Sequence, residues 1–110
     1  MYISDQVNRH AWLSEAYFQN DMLEKGTSHR LASLDLVLQL SKLEPSNMRW
    51  TDQLMRTRMV VAEMHFEQGK EKEGQAQAGK ALVIANRLVK HDPSNKRWAT
   101  WKKRIMKMAK

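Results

Sequence analysis

A seven-residue phrase occurs twice, 48 positions apart: Glu44-Pro45-Ser46-Asn47-Met48-Arg49-Trp50 and Asp92-Pro93-Ser94-Asn95-Lys96-Arg97-Trp98. Repetition at a period of roughly 20 to 50 residues points to an array in which one supersecondary unit is stacked on the next. Shifting the chain on itself by 48 positions extends the match beyond the phrase. Glu15 falls on Glu63, Phe18 on Phe66, Gly26 on Gly74, Leu34 on Leu82, Leu40 on Leu88 and Lys42 on Lys90. Leu13 meets Val61, Leu36 meets Ile84 and Tyr2 meets Trp50, so apolar and glycine positions agree along the whole unit.

The unit is helical. Met1 to Phe18 places Tyr2, Gln6, Leu13 and Tyr17 on one face, and Asn20-Asp21 marks a turn. A second helix follows, with Leu31, Leu34 and Leu38 and then Leu36, Leu40 and Leu43 at three- and four-residue spacings. Gly26-Thr27-Ser28 reads either as an interior stretch of that helix or as a break at its start. Pro45 biases Glu44 out of the α region and stops the helix, and Ser46 or Asn47 can cap the next one. Met48 to Phe66 is the third helix, Gln68-Gly69 a turn, and Lys70 to about Lys90 the fourth, with Ala78, Ala81, Leu82, Ala85, Leu88 and Val89 as its apolar stripe. Pro93 and Asn95 repeat the corner, and Lys96 to Lys110 forms a fifth helix. No stretch alternates with period two. The expected fold is all-α, five helices joined by short loops.

One domain of 110 residues can bury roughly two-thirds of its unfolded surface. There is no Cys, which excludes disulfides and thiolate metal sites. No apolar run reaches the ~18 residues of a membrane span, and the start lacks a signal-peptide core. A cytoplasmic location is therefore expected. Because the chain begins inside a helical pattern, it is expected to be a fragment of a longer protein.

On these residues the chain resembles the tetratricopeptide-repeat family. That family's helix pair carries a large apolar residue, a small one, an aromatic, a turn, small residues in the second helix, Ala-Leu and then Pro. The second unit supplies Val61, Ala62, His65, Gly69, Gly74, Ala78, Ala81-Leu82 and Pro93; the first supplies Leu13, Ser14, Tyr17, Asp21, Gly26, Ser33-Leu34 and Pro45. The family period is about 34 residues. The excess of about 14 is two sets of two helical turns, which lengthens each helix without rotating its apolar face. The unit is thus similar to the long-helix repeats of bacterial signalling proteins. The resemblance implies a right-handed α-solenoid of two antiparallel pairs plus a C-terminal capping helix. Repeat 1 spans about residues 1–47, repeat 2 about 48–95 and the terminal helix about 96–110. His65 replaces the usual aromatic, and Gly26 and Gly74 replace the usual Ala, a cost of about 1 kcal/mol each that closer helix approach can offset.

Trp50 and Trp98 are expected to be core anchors, fastening one pair to the next, with Pro45, Asn47, Pro93 and Asn95 making the corners. Exposed stacking platforms are the sharper alternative. His10, His29, His65 and His91 show no metal-ligand spacing, and no acid/base pair, phosphate loop or nucleophile constellation is present, so neither enzyme activity nor a cofactor or metal is expected. Met55, Met59 and Met64 suit core filling or adaptable partner contact. The last helix combines a Trp98, Trp101, Ile105, Met108 stripe with Lys96, Arg97, Lys102, Lys103, Arg104, Lys107 and Lys110. It is expected to be a cap or the first half of a further repeat; membrane or nucleic-acid contact is the alternative.

The family's use of its first helices implies a groove that holds a peptide or protein segment. Its first unit would contribute Asn8, Ala11, Glu15, Phe18 and Gln19. Its second would contribute Arg56, Met59, Glu63, Phe66 and Glu67, with Arg56 gripping an acid or a carbonyl. The lysine of the family's carboxylate clamp is absent, since Ala11 and Met59 stand in its place. A non-enzymatic protein-interaction module of a bacterial signalling protein is the expected function, and the formal net charge of +7 favours an acidic partner. A basic nucleic-acid-binding domain and self-assembly through an open solenoid end, or packing on an adjacent domain of the same chain, are the other expectations.

Overall fold

In the computed structural model, residues 9–10, 12–13, 16 and 23–109 are described. Among them the chain is all-α: α1 spans Leu23–Leu43, α2 Met48–Glu67, α3 Glu71–His91 and α4 Lys96–Met108. The expected first helix, Met1 to Phe18, lies mostly outside the described residues; Arg9, His10, Trp12, Leu13 and Ala16 of that stretch are helical. Four bounded helices therefore stand where five were expected. The bounds themselves repeat, since a shift of 48 carries both ends of α1 onto α3 and the start of α2 onto α4. No described helix is long and apolar enough to cross a membrane.

Each boundary has a local cause. Asn47 Oδ1 accepts from Arg49 N at 3.0 Å, and Asn95 Oδ1 from Trp98 N at 3.1 Å, so both asparagines cap their helices, the first through the second helical amide and the second through the third. At the α2–α3 turn Gly69 has φ +75°, with Gly69 N bonding Phe66 O at 3.0 Å and Lys70 N bonding His65 O at 2.8 Å. This pair of bonds is the Schellman ending, which favours a residue without Cβ. Gly26 and Thr27 are buried inside α1, so the break at Gly26-Thr27-Ser28 does not occur. Glycine there interrupts nothing, because its amide already lies in a helical run held by the leucine stripe.

The core forms two clusters that meet on α2. Leu34, Val37 and Leu40 of α1 pack with Leu54 and Val61 of α2, and Trp50 lies against them. On the other side Met55 and Met59 pack with Ala81, Ala85 and Leu88 of α3 and Ile105 of α4, with Trp98 and Trp101 against that cluster. Ala78, Ala81 and Ala85 are fully buried at successive turns of α3. Small side chains there let the α2 and α3 axes approach closely enough for the methionines to interdigitate.

Two glycines of α3 are predicted to respond oppositely to alanine. A Cβ on Gly74 would lie 2.8 Å from the Phe66 ring, whereas nothing lies within 4 Å of one on Gly79. Gly79→Ala should raise the unfolding free energy by about 0.5–1 kcal/mol through helix propensity and a less free unfolded chain. Gly74→Ala should gain nothing and fall below wild type, and Phe66→Leu should relieve it. Urea midpoints of the four proteins check this; equal gains at both glycines would contradict the close approach.

Candidate partner-binding cleft between α2 and α4

The surface of α2 that faces α4 is set by the corner before each helix. Trp98 Nε1 donates to Asp52 Oδ1 at 3.0 Å, a bond spanning 46 residues that ties the start of α4 to the first turns of α2. Asp52 Oδ2 in turn holds Arg56 Nη2 at 3.1 Å, and the same nitrogen donates to Gln53 Oε1 at 3.0 Å. Asp52 is mostly buried and Arg56 about one-third exposed. In the first corner the indole of Trp50 donates instead to Glu44 Oε2. The two tryptophans are thus equivalent in sequence and packing but unlike in their polar partners.

Farther along, Arg104 Nη2 of α4 binds Glu63 Oε1 of α2 at 2.7 Å, and its guanidinium lies 5.5 Å from the Trp101 ring centroid. The stacking holds the arginine's long side chain while the carboxylate fixes its head. Between these two polar ties lies an open cleft of about 210 Å3, lined by Arg30, Gln53, Arg56, Thr57, Met59, Val60 and Trp101. Its apolar floor is Met59, Val60 and Trp101, and its rim is polar. With Nη2 of Arg56 engaged by Asp52 and Gln53, Nη1 remains as a donor for a carbonyl or carboxylate.

The expected groove residues fall into three groups. Asn8, Ala11, Glu15, Phe18 and Gln19 lie outside the described residues. Arg56 lines the cleft, and Glu67 is exposed. The other three are engaged by packing or pairing. Met59 is 3% exposed, because α3 and α4 both press on the face that carries it, and the little that stays uncovered lies on the cleft floor. Phe66 turns its ring onto Gly74 of α3, where the absent Cβ leaves room. Glu63 is already paired with Arg104. Trp101 and Val60 were missed as lining residues. The shift of 48 that puts Trp101 on Gln53 was a usable signal, since both line the cleft.

Two other places gather polar groups. The rings of His10 and His29 meet with Nδ1 to Nδ1 at 3.0 Å, one donating to the other, beside a cleft of about 460 Å3 that Asp35 also lines. Their separation of 19 residues hid this pair from any local motif. No group of three His, Cys, Asp or Glu is placed to hold a metal ion among the described residues. His65 sits near Gln68 and Lys70 in a cleft of about 280 Å3. Burial lowers its pKa below 6.5, Lys70 adds to the shift and Glu73 opposes it. A neutral imidazole fits its role as the packing residue of the α2 end.

No family model, curated protein or solved structure matches the chain.

Proposed function

We propose that the chain is a non-enzymatic protein-interaction module, a long-helix repeat of the tetratricopeptide kind, that binds a segment of a partner protein across the α2–α4 cleft. The recurrence of the helix bounds at a shift of 48 supports the paired-helix solenoid, with α2 and α4 as the opening helices of successive units. The observation that carries the binding role is the cleft itself. An apolar floor of Val60 and Trp101, framed by Arg56 and the Arg104–Glu63 pair, offers one pocket for an apolar side chain and donors for the backbone beside it. Such a combination of an aromatic anchor and arginines is the usual make-up of an interaction hot spot. Placement in a bacterial signalling protein rests on the family resemblance alone.

Peptides selected from a random library on the immobilised chain test this. They are expected to shift the Trp101 indole N–H resonance and to bind Val60→Glu at least about tenfold more weakly. Circular dichroism of that variant checks its fold. Selected peptides that leave the Trp101 signal unmoved, or bind Val60→Glu as well as wild type, would show that the cleft is not the site.

A further inference from the structure

The charge of this protein is concentrated in one helix. Seven of its nineteen Lys and Arg residues lie in 96–110, and no acidic residue follows Asp92. The twelve basic residues before that point are balanced by all twelve acidic ones, so the net +7 belongs to the α4 segment. Its apolar side is already used, since Ile105 is fully buried and Trp98 and Trp101 lie against the second core cluster. What faces outward is Lys96, Thr100, Lys103 and Lys107, all exposed, together with Met106, which is 45% exposed. None of the three lysines has an ion-pair partner among the described residues.

The repeat says what this face corresponds to. Shifted back by 48, Lys96, Lys103, Met106 and Lys107 fall on Met48, Met55, Arg58 and Met59 of α2. Those are the α2 residues that meet α3: the methionines pack in the cluster with Ala81, Ala85 and Leu88, and Arg58 donates to Gln77 at 3.0 Å. On α4 the same face is covered by no described helix and carries lysine where α2 carries methionine. An apolar helix of the α3 kind would bury those ammonium groups without partners, at a cost that forbids it. A helix with carboxylates at matching positions would instead pair with each of them.

We propose that this face docks an acidic amphipathic helix of a partner protein, lying along α4 as α3 lies along α2. Lys107, Lys103 and Lys96 are spaced by four and then seven residues. An antiparallel helix with Glu at i, i+4 and i+11 therefore sets a carboxylate opposite each, while its small apolar residues meet Ala99 and Met106. Nucleic acid and membrane fit less well. Neither tryptophan of α4 lies on the lysine face: Trp98 is bonded to Asp52 and Trp101 faces the α2 cleft under Arg104, so this face offers no aromatic for base stacking or for insertion into lipid. This face is distinct from the cleft at Val60 and Trp101, and either can fail without the other.

The test uses the whole chain and a synthetic Ala/Leu helix bearing Glu at i, i+4 and i+11, read by fluorescence anisotropy. Binding should weaken as salt is raised, and the double variant Lys103→Glu/Lys107→Glu should bind about tenfold more weakly. A second peptide with Lys in place of Glu should prefer the variant over wild type. Both lysines are exposed, so the melting curve of the variant should match wild type and exclude misfolding. Equal binding of the acidic peptide to both proteins would overturn the proposal. So would retention of duplex DNA or phosphatidylserine vesicles under conditions where that peptide does not bind.

Discussion

Met55→Lys is expected to remove most of the protein's stability, more than about 4 kcal/mol, whereas Lys103→Met should stay within about 0.5 kcal/mol of wild type. The two positions are equivalent under the shift of 48, and only their surroundings differ. Met55 is fully buried against Ala81, Ala85 and Leu88 of α3, with Ile105 of α4 in the same cluster. An ammonium group placed there meets no acceptor and must lose its proton or admit water, and either costs several kcal/mol. A domain of this size has only about 5–15 kcal/mol in hand, so the transition should shift far down or vanish. No described helix lies over Lys103, and a methionine there alters neither the core nor a described ion pair. Urea denaturation followed by circular dichroism separates the two outcomes. A Met55→Lys protein that unfolds near the wild-type midpoint would mean that α3 does not cover this face of α2.

Trp98→Ala should cost about 3 kcal/mol and Trp50→Ala clearly less, about 1–2 kcal/mol. Both indoles are half-buried against a core cluster, so the apolar loss is similar. The difference is polar. Removing Trp98 takes a hydrogen bond from Asp52, a mostly buried carboxylate that then has Arg56 as its remaining partner, and it loses a tie between the start of α4 and α2. Removing Trp50 takes a bond from Glu44, which is exposed and is re-solvated at once. Trp98→Phe should recover most of the packing but not the Asp52 bond. Hydrogen exchange of the α4 amides should rise in Trp98→Ala before that of α2 and α3. Equal losses at the two tryptophans would count against the role given to Asp52.

Much of the fold was legible because its signals are local. Proline, asparagine and glycine act on the backbone within a few residues, so the corners at Pro45 and Pro93, the caps at Asn47 and Asn95 and the turn at Gly69 could be placed from the chain alone. In α1 only Leu34 and Leu40 of the expected leucines are buried, Leu31 and Leu43 are exposed, and Val37, outside the leucine pattern, is fully buried, whereas the alanines of α3 announced their buried face by spacing. The faces of α2 did not. Its apolar residues run nearly all round, because α1 packs on one side and α3 with α4 on the other, and a helix with several neighbours has no single stripe to read. Of the residues expected on a groove, Met59 therefore lies in the core as well as on the cleft floor, and Phe66 packs on Gly74.

By itself the sequence determined an all-helical pattern, a unit of 48 residues and the corners at Pro45-Asn47, Gly69 and Pro93-Asn95, since those follow from backbone preferences and periodicity. Tertiary structure alone decided which polar groups meet. Trp98 and Asp52, Arg104 and Glu63, and His10 and His29 are separated by 46, 41 and 19 residues. Such pairings depend on how the helices rotate and cross, and that is set by the volume of Met55, Ala81, Leu88 and Ile105 packing together. The repeated corner marked where Trp98 would stand. Only the packing of α4 on α3, which sets it beside α2, put Asp52 within reach of it.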